Sequence, residues 1–238
     1  MRVVVLQPMY LPWIGYFGLI DIADVFVFYD DVQFVRQSWQ NRNRIKWCTG
    51  KPIWLTVPVH RVYGQKINEV KIDDGSPWRN RHWECIGQAY SKATFFQQYR
   101  PVLEPLYSRR WDHLADLNMS LITEVASTLG LNSAKFETSS EFSVNGSGTE
   151  RLIDLLKHLG ADEYVSGPSA SEYLDVDKFR EAGIALYWYR LEHPVYPQLW
   201  GDFVPHLSAI DLIFNVGAES MHVIRDAARN AIQRDPRT

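Results

Sequence analysis

The residues best equipped for chemistry lie between Gln7 and Lys46. Gln7 follows the apolar run Val3-Val4-Val5-Leu6, and Asp30, Asp31 and Gln33 follow a second run, Val25 to Tyr29. A carboxylate at a strand end can act as a general base, ligate magnesium, or accept a hydrogen bond from a sugar or ribose hydroxyl. Neighbouring strand residues face opposite ways, so at most one of Asp30 and Asp31 enters such a site from the strand itself. The competing reading is a turn or N-cap aspartate, or an ion pair with Arg42 or Arg44. Further along come Gln37, Gln40, Asn41, Arg42, Asn43, Arg44 and Lys46. Guanidinium forks and amides suit phosphate or carboxylate oxygens; the same run also reads as a solvated basic loop. Trp39 and Trp47 interleave with it and offer rings for stacking on a base or sugar.

Two aromatic segments complete the candidate set. Tyr10, Trp13 and Tyr16, with Phe17, either line a pocket or plug the sheet edge. Tyr196-Pro197-Gln198 forms a late loop of the kind that carries function. It is expected at the same strand-end edge, with Gln198 approaching Gln7 and Asp30 in one cavity. Sharper motifs fail. The seven histidines have no metal-ligand spacing. Gly167 to Ser171 lacks the second glycine of a nucleophile elbow. Gly146-Ser147-Gly148-Thr149 opens a helix and could meet a phosphate, but it is no Walker motif, and capping explains it. Cys48 and Cys85 read as packing residues, and no cofactor is named by any motif.

The elements that position these residues read as β–α–β units. A strand over 3–6, a helix over 14–23 and a strand over 25–29 seed a parallel sheet, where ligands gather at the carboxyl ends of strands. Strands are expected at 53–57, 66–72, 163–166 and 184–188, with extended chain over 134–144. Helices are expected at 78–90, 95–110 (offset by Pro101 and Pro105), 113–129, 149–159, 176–182, 208–216 and 219–234. Ser147 with Glu150 fits a capping box, and the tail from Asp235 is expected to fray. The fold class is therefore α/β: a mainly parallel, Rossmann-like central sheet with a helical insertion or cap. The whole of 1–238 reads as one domain, with 76–130 a helical subdomain or a cap over the sheet.

With 238 residues the chain can bury roughly 70–75% of its unfolded surface, so no staple is required. A net charge of −3 argues against a general nucleic-acid binder. Two cysteines make no disulfide framework, no apolar run is long enough to span a bilayer, and Gln7-Pro8 interrupts any signal-like start. A cytoplasmic location is the expectation.

QPMYLPWIGYF, DDVQFVRQSWQNRNRI, WLTVPV, YSKATFF, YVSG and YPQLWGDFVPHLSAIDLIFNVG resemble, in order, the signature blocks of the WbqC-like family. That resemblance implies a place beside O-antigen and other surface-polysaccharide genes. With the polar strand-end site, that place points to an enzyme that modifies a small-molecule substrate, a phosphorylated, nucleotide-linked or lipid-linked sugar, as by acyl or aminoacyl transfer. A non-catalytic binding or scaffolding protein of the same machinery is the alternative. The layout of QPMYLPWIGYFGLIDIAD is also similar to the first motif of the pantothenate synthetase and nucleotidylyltransferase group. It departs where that group places two histidines, since Pro12 to Tyr16 contains none.

Overall fold

A computed structural model describes residues 1–238. Five strands run parallel: β1 (Arg2–Leu6), β2 (Val25–Phe28), β7 (Lys135–Thr138), β8 (Glu163–Ser166) and β9 (Ala185–Tyr189). Strand β10 (Ile232–Arg234) adds an antiparallel edge, giving the order β10-β9-β8-β1-β2-β7. Val3, Val4 and Val5, and all of β2, are buried, as expected of strands covered on both faces. Alternation then assigns the faces. Val3, Val5, Val25 and Val27 pack with Leu152 and Leu156 of α5 (Gly148–Leu159) and with Phe179 of α6 (Val176–Glu181). Val4, Phe26 and Phe28 face the larger core, which includes α1 (Ile14–Asp21), α7 (Ala209–Val216) and α8 (Ser220–Ala228).

Between β2 and β7 the chain makes a long excursion. It holds the hairpin of β3 (Arg42–Lys46) and β4 (Pro52–Thr56), the short pair β5 (Val59–His60) and β6 (Lys71–Ile72), and the helices α2 (Trp78–Tyr90), α3 (Phe96–Ser108) and α4 (Leu114–Thr128). These helices share the larger core with the sheet: Tyr90, Leu103 and Leu121 belong to the same buried cluster as Val4 and Phe26.

Several expectations change. The basic run is a strand, because Asn43, Ile45 and Lys46 are buried and find distant partners. Segment 66–72 is a one-turn 3-10 helix followed by β6. Helix α3 runs through Pro101 and Pro105 unbroken; both prolines face solvent, where water can satisfy the carbonyls left without an amide partner. The Ser147 side chain does not cap α5, and Glu150 instead pairs with Lys178. The chain after Ala228 leaves the helix and pairs with the open edge of β9. The tail is pinned rather than frayed: Asp235 is buried and accepts from the Trp188 indole N–H at 2.8 Å, while the Asp235 amide donates to the Leu186 carbonyl. Asp175 and Ser208 cap α6 and α7, each accepting from the amide two residues on. Gly217, at φ +67°, turns the chain between α7 and α8; a Cβ there would lie 2.5 Å from the Phe95 ring.

Candidate functional site

In strand order, β2 and β7 follow β1 on one side, whereas β8 and β9 lie on the other. The order therefore reverses between β1 and β8, and their carboxyl ends flank a cavity of about 400 Å³. Its walls include Gln7 and Met9 after β1, Tyr29 and Val32 after β2, Ser166 at the end of β8 with Gly167 after it, and Gly148 at the start of α5. Tyr164 and Tyr173 add phenol rings, and Leu152 an apolar wall. A second cavity of about 330 Å³ shares Tyr29, Val32 and Gly148 and adds Asp31, Gln33, Lys66 and Arg151. One compartment is thus mostly apolar and its neighbour mostly polar.

Local chemistry sets the electrostatics. With no side-chain cap on α5, its first-turn N–H groups and positive dipole end lie at the wall common to both cavities. The Arg151 guanidinium is buried, ion-paired with Asp31 and set 5.0 Å from the Tyr29 ring centroid. Burial holds the Tyr29 phenol above its usual pKa, against the opposing pull of Arg151.

The aspartates behave differently from each other. Asp30 is buried, and each of its carboxylate oxygens lies within reach of two donors: Ser139 Oγ (3.1 Å) and the Ser140 amide (3.0 Å) on one, Ser140 Oγ (2.8 Å) and Asn68 Nδ2 (3.2 Å) on the other. It clamps the end of β2 to the end of β7 and to the turn at Asn68. Asp31 pairs with Arg151 and accepts from Ser139 Oγ at 2.6 Å. Neither meets Arg42 or Arg44. Those two stack instead on Trp54, at 4.3 and 5.6 Å, on the β3–β4 hairpin.

The first loop is a partition between cavities. Gln7 accepts from Gln40 Nε2 at 2.8 Å. Met9 lines both the 400 Å³ cavity and one of about 240 Å³, which is also walled by Trp13, Trp39, Asn43 and His206. Trp13 in turn lines an open groove of about 1080 Å³ with Arg190, His193 and Asp226. Leu11 sits at φ +44°, a strained geometry for leucine, and the loop is held by Asn43 Nδ2 donating to the Leu11 carbonyl and the Ala209 amide donating to that of Pro12. Tyr10 and Tyr16 are core residues: the Tyr10 hydroxyl bonds His82 and Tyr107, and that of Tyr16 donates to the Gln7 carbonyl. Asn41 donates to the Val57 carbonyl.

Gln198 does not join Gln7 and Asp30. Its amide donates to Asp211 (2.8 Å) and to the Val204 carbonyl, and its oxygen accepts from Lys46 Nζ at 3.3 Å. Tyr196 and Tyr90 also donate to Asp211. This is a separate buried network that ties β3, α2, the late loop and α7 together. The structure therefore brings Gln7, Asp31 and Gln33 to the paired cavities. Asp30 stands behind them as a clamp, and Arg42, Arg44, Tyr196 and Gln198 lie elsewhere.

Reading from sequence missed Tyr29, Lys66, Arg151, Tyr173 and the Ser166-Gly167 turn. The available signal was the strand-end rule, applied to β1 and β2 but not carried to β8. It also missed His193, whose Nδ1–H donates to the Pro194 carbonyl, leaving Nε2 unpartnered beside Trp13 and His206.

Fold and site together define an α/β protein with a mainly parallel sheet and a ligand-sized cavity at its carboxyl edge. The chain belongs to the WbqC-like protein family, whose sequence model matches residues 7–223. It is 41% identical over 229 residues to a protein of Mycobacterium tuberculosis (strain ATCC 25618 / H37Rv), covering 94% of this chain and 97% of that one; the relative is described as uncharacterized protein Rv1507c. No solved structure matches. No helix is long and apolar enough to cross a membrane.

Proposed function

We propose that the paired cavities hold a nucleotide-linked or lipid-linked sugar of surface-polysaccharide biosynthesis, and that the protein modifies it by acyl or aminoacyl transfer. The observation that carries this reading is the 400 Å³ cavity at the point where the strand order reverses. In a Rossmann-like arrangement that crevice is where nucleotides bind. Tyr29 and Tyr173 suit a base or sugar ring. The uncapped start of α5, with Lys66 and Arg151, suits phosphate oxygens next door. Gln7 and Gln33 supply amides for hydroxyl groups, and Asp31 orients Arg151.

A thermal-shift panel of nucleotide sugars, nucleotides, coenzyme A thioesters and amino acids tests it. A nucleotide sugar or nucleotide is expected to give the largest shift, about 2.7 kcal/mol at a hundredfold excess over its dissociation constant. A panel without any shift contradicts the reading.

A second reading, binding or scaffolding without catalysis, draws on one observation. Both predicted bases are engaged in structural contacts: Asp30 is surrounded by donors and Asp31 is paired with Arg151. Ligand binding with no turnover of any acyl or aminoacyl donor would favour it.

A further inference from the structure

Between Val32 and Asn68 the chain has no Asp or Glu, although it contains Arg36, Arg42, Arg44, Lys46, Lys51, Arg61 and Lys66. All 28 acidic residues lie outside this stretch, in a chain whose net charge is −3. Lys46 is buried; the others are exposed or half-exposed. The same stretch exposes large apolar side chains: Val35 (54%), Trp39 (43%), Trp54 (46%), Val62 (72%) and Tyr63 (89%). They lie on adjoining segments. Trp39 and Trp54 are 5.4 Å apart, with Arg42 and Arg44 over Trp54. Loop 33–37 runs beside loop 61–66 through the Phe34 amide bond to Gln65 and the Gln33–Lys66 bridge.

We infer that this face, the β3–β4 hairpin with loops 33–37 and 61–66, docks the protein on an anionic lipid surface. The exposed cations of this face form no salt bridge, which leaves them free to attract acidic headgroups, and Trp and Tyr settle at the headgroup boundary. Exposed valines at the loops gain by entering that boundary and would gain nothing on a phosphodiester strand. On the hairpin, where a single-stranded nucleic acid would stack its bases on open ring faces, the Arg42 guanidinium already covers Trp54 at 4.3 Å. Trp39 also walls the 240 Å³ cavity, and Gln33 and Lys66 the 330 Å³ cavity. Docking would therefore bring those openings to the lipid, which suits a lipid-linked sugar; that consequence, not the docking, rests on the proposed function.

The test is co-sedimentation of the full chain with vesicles of phosphatidylglycerol and phosphatidylcholine, beside vesicles of phosphatidylcholine alone. Binding is expected only to the anionic vesicles and to fall as salt rises. Arg36→Gln with Arg61→Gln should weaken it about fivefold for each cation lost, and Val62→Ser with Tyr63→Ser should weaken it further. Unchanged thermal unfolding of these exposed-site variants confirms intact fold. Absence of binding to anionic vesicles, wild-type binding by both double variants, or capture of oligo-dT without capture of vesicles overturns the inference.

Discussion

Replacing Lys46 by Met is expected to destabilise the protein by about 2–3 kcal/mol, the cost of losing a buried charged hydrogen-bond donor. Lys46 is 1% exposed, and its ammonium donates to Gln198 and to the carbonyls of Gly201 and Asp202. Asp211, fully buried, takes the other side of Gln198 and the hydroxyls of Tyr90 and Tyr196. Burial pushes the Asp211 carboxyl up, against the pull of its three donors, and pushes the Lys46 ammonium down, against Asp211 and Asp202. Both directions express the same desolvation cost, and each charge offsets part of it for the other. Asp211→Leu should cost a comparable amount, and the double variant less than the two single losses added, because neither charge is left alone. Urea unfolding of the three variants reads this directly. Strict additivity, or a Lys46→Met loss below about 0.5 kcal/mol, would show that the two charges do not support each other.

Acidification from pH 7 to 4 is expected to remove about 3 kcal/mol through His82 alone. His82 is 7% exposed; burial lowers its pKa from 6.5 to about 4, against a hydrogen bond to the Thr56 backbone. The His82 Nδ1 pairs with the Tyr10 hydroxyl at 2.8 Å. A histidine with a depressed folded pKa contributes stability that is complete above its unfolded value. The contribution is lost as pH falls from about 6.5 towards 4, where the unfolded chain binds the extra proton. Asp211 has the opposite sign, since a raised carboxyl pKa favours the folded state as pH falls. The comparison with His82→Phe therefore isolates the histidine. Chemical unfolding at several pH values should show a shallower acid loss in that variant; parallel curves would place His82 outside the linkage.

The central strands were legible because their composition leaves few alternatives: Val3-Val4-Val5 and Val25-Phe26-Val27-Phe28 can only be covered on both sides. The strand-end rule then put Gln7, Asp31 and Gln33 at the cavities where the structure finds them. What stayed hidden depends on partners far away in the chain. Asp30 looks like a catalytic aspartate until Ser139 and Ser140 arrive with β7, and Gln198 looks exposed until Lys46 and Asp211 enclose it. The sequence Arg-Asn-Arg-Ile-Lys has no apolar alternation, so β3 reads as loop. Its buried amide and ammonium are satisfied by the carbonyls of Leu11 and Asp202, which no local pattern reveals.

Gly167→Trp, measured by titration with the nucleotide sugar or nucleotide that most stabilises the wild type, decides whether the 400 Å³ cavity holds the ligand. Gly167 lies in the wall of the 400 Å³ cavity at φ −70°, and a Cβ there meets no atom within 4 Å. The backbone therefore accepts a side chain, and an indole at this position would fill space assigned to ligand. The predicted result is unliganded stability near that of the wild type with affinity at least about tenfold weaker, or about 1.4 kcal/mol. A normally folded Gly167→Trp protein that binds the ligand with wild-type affinity would place the ligand elsewhere and contradict the account.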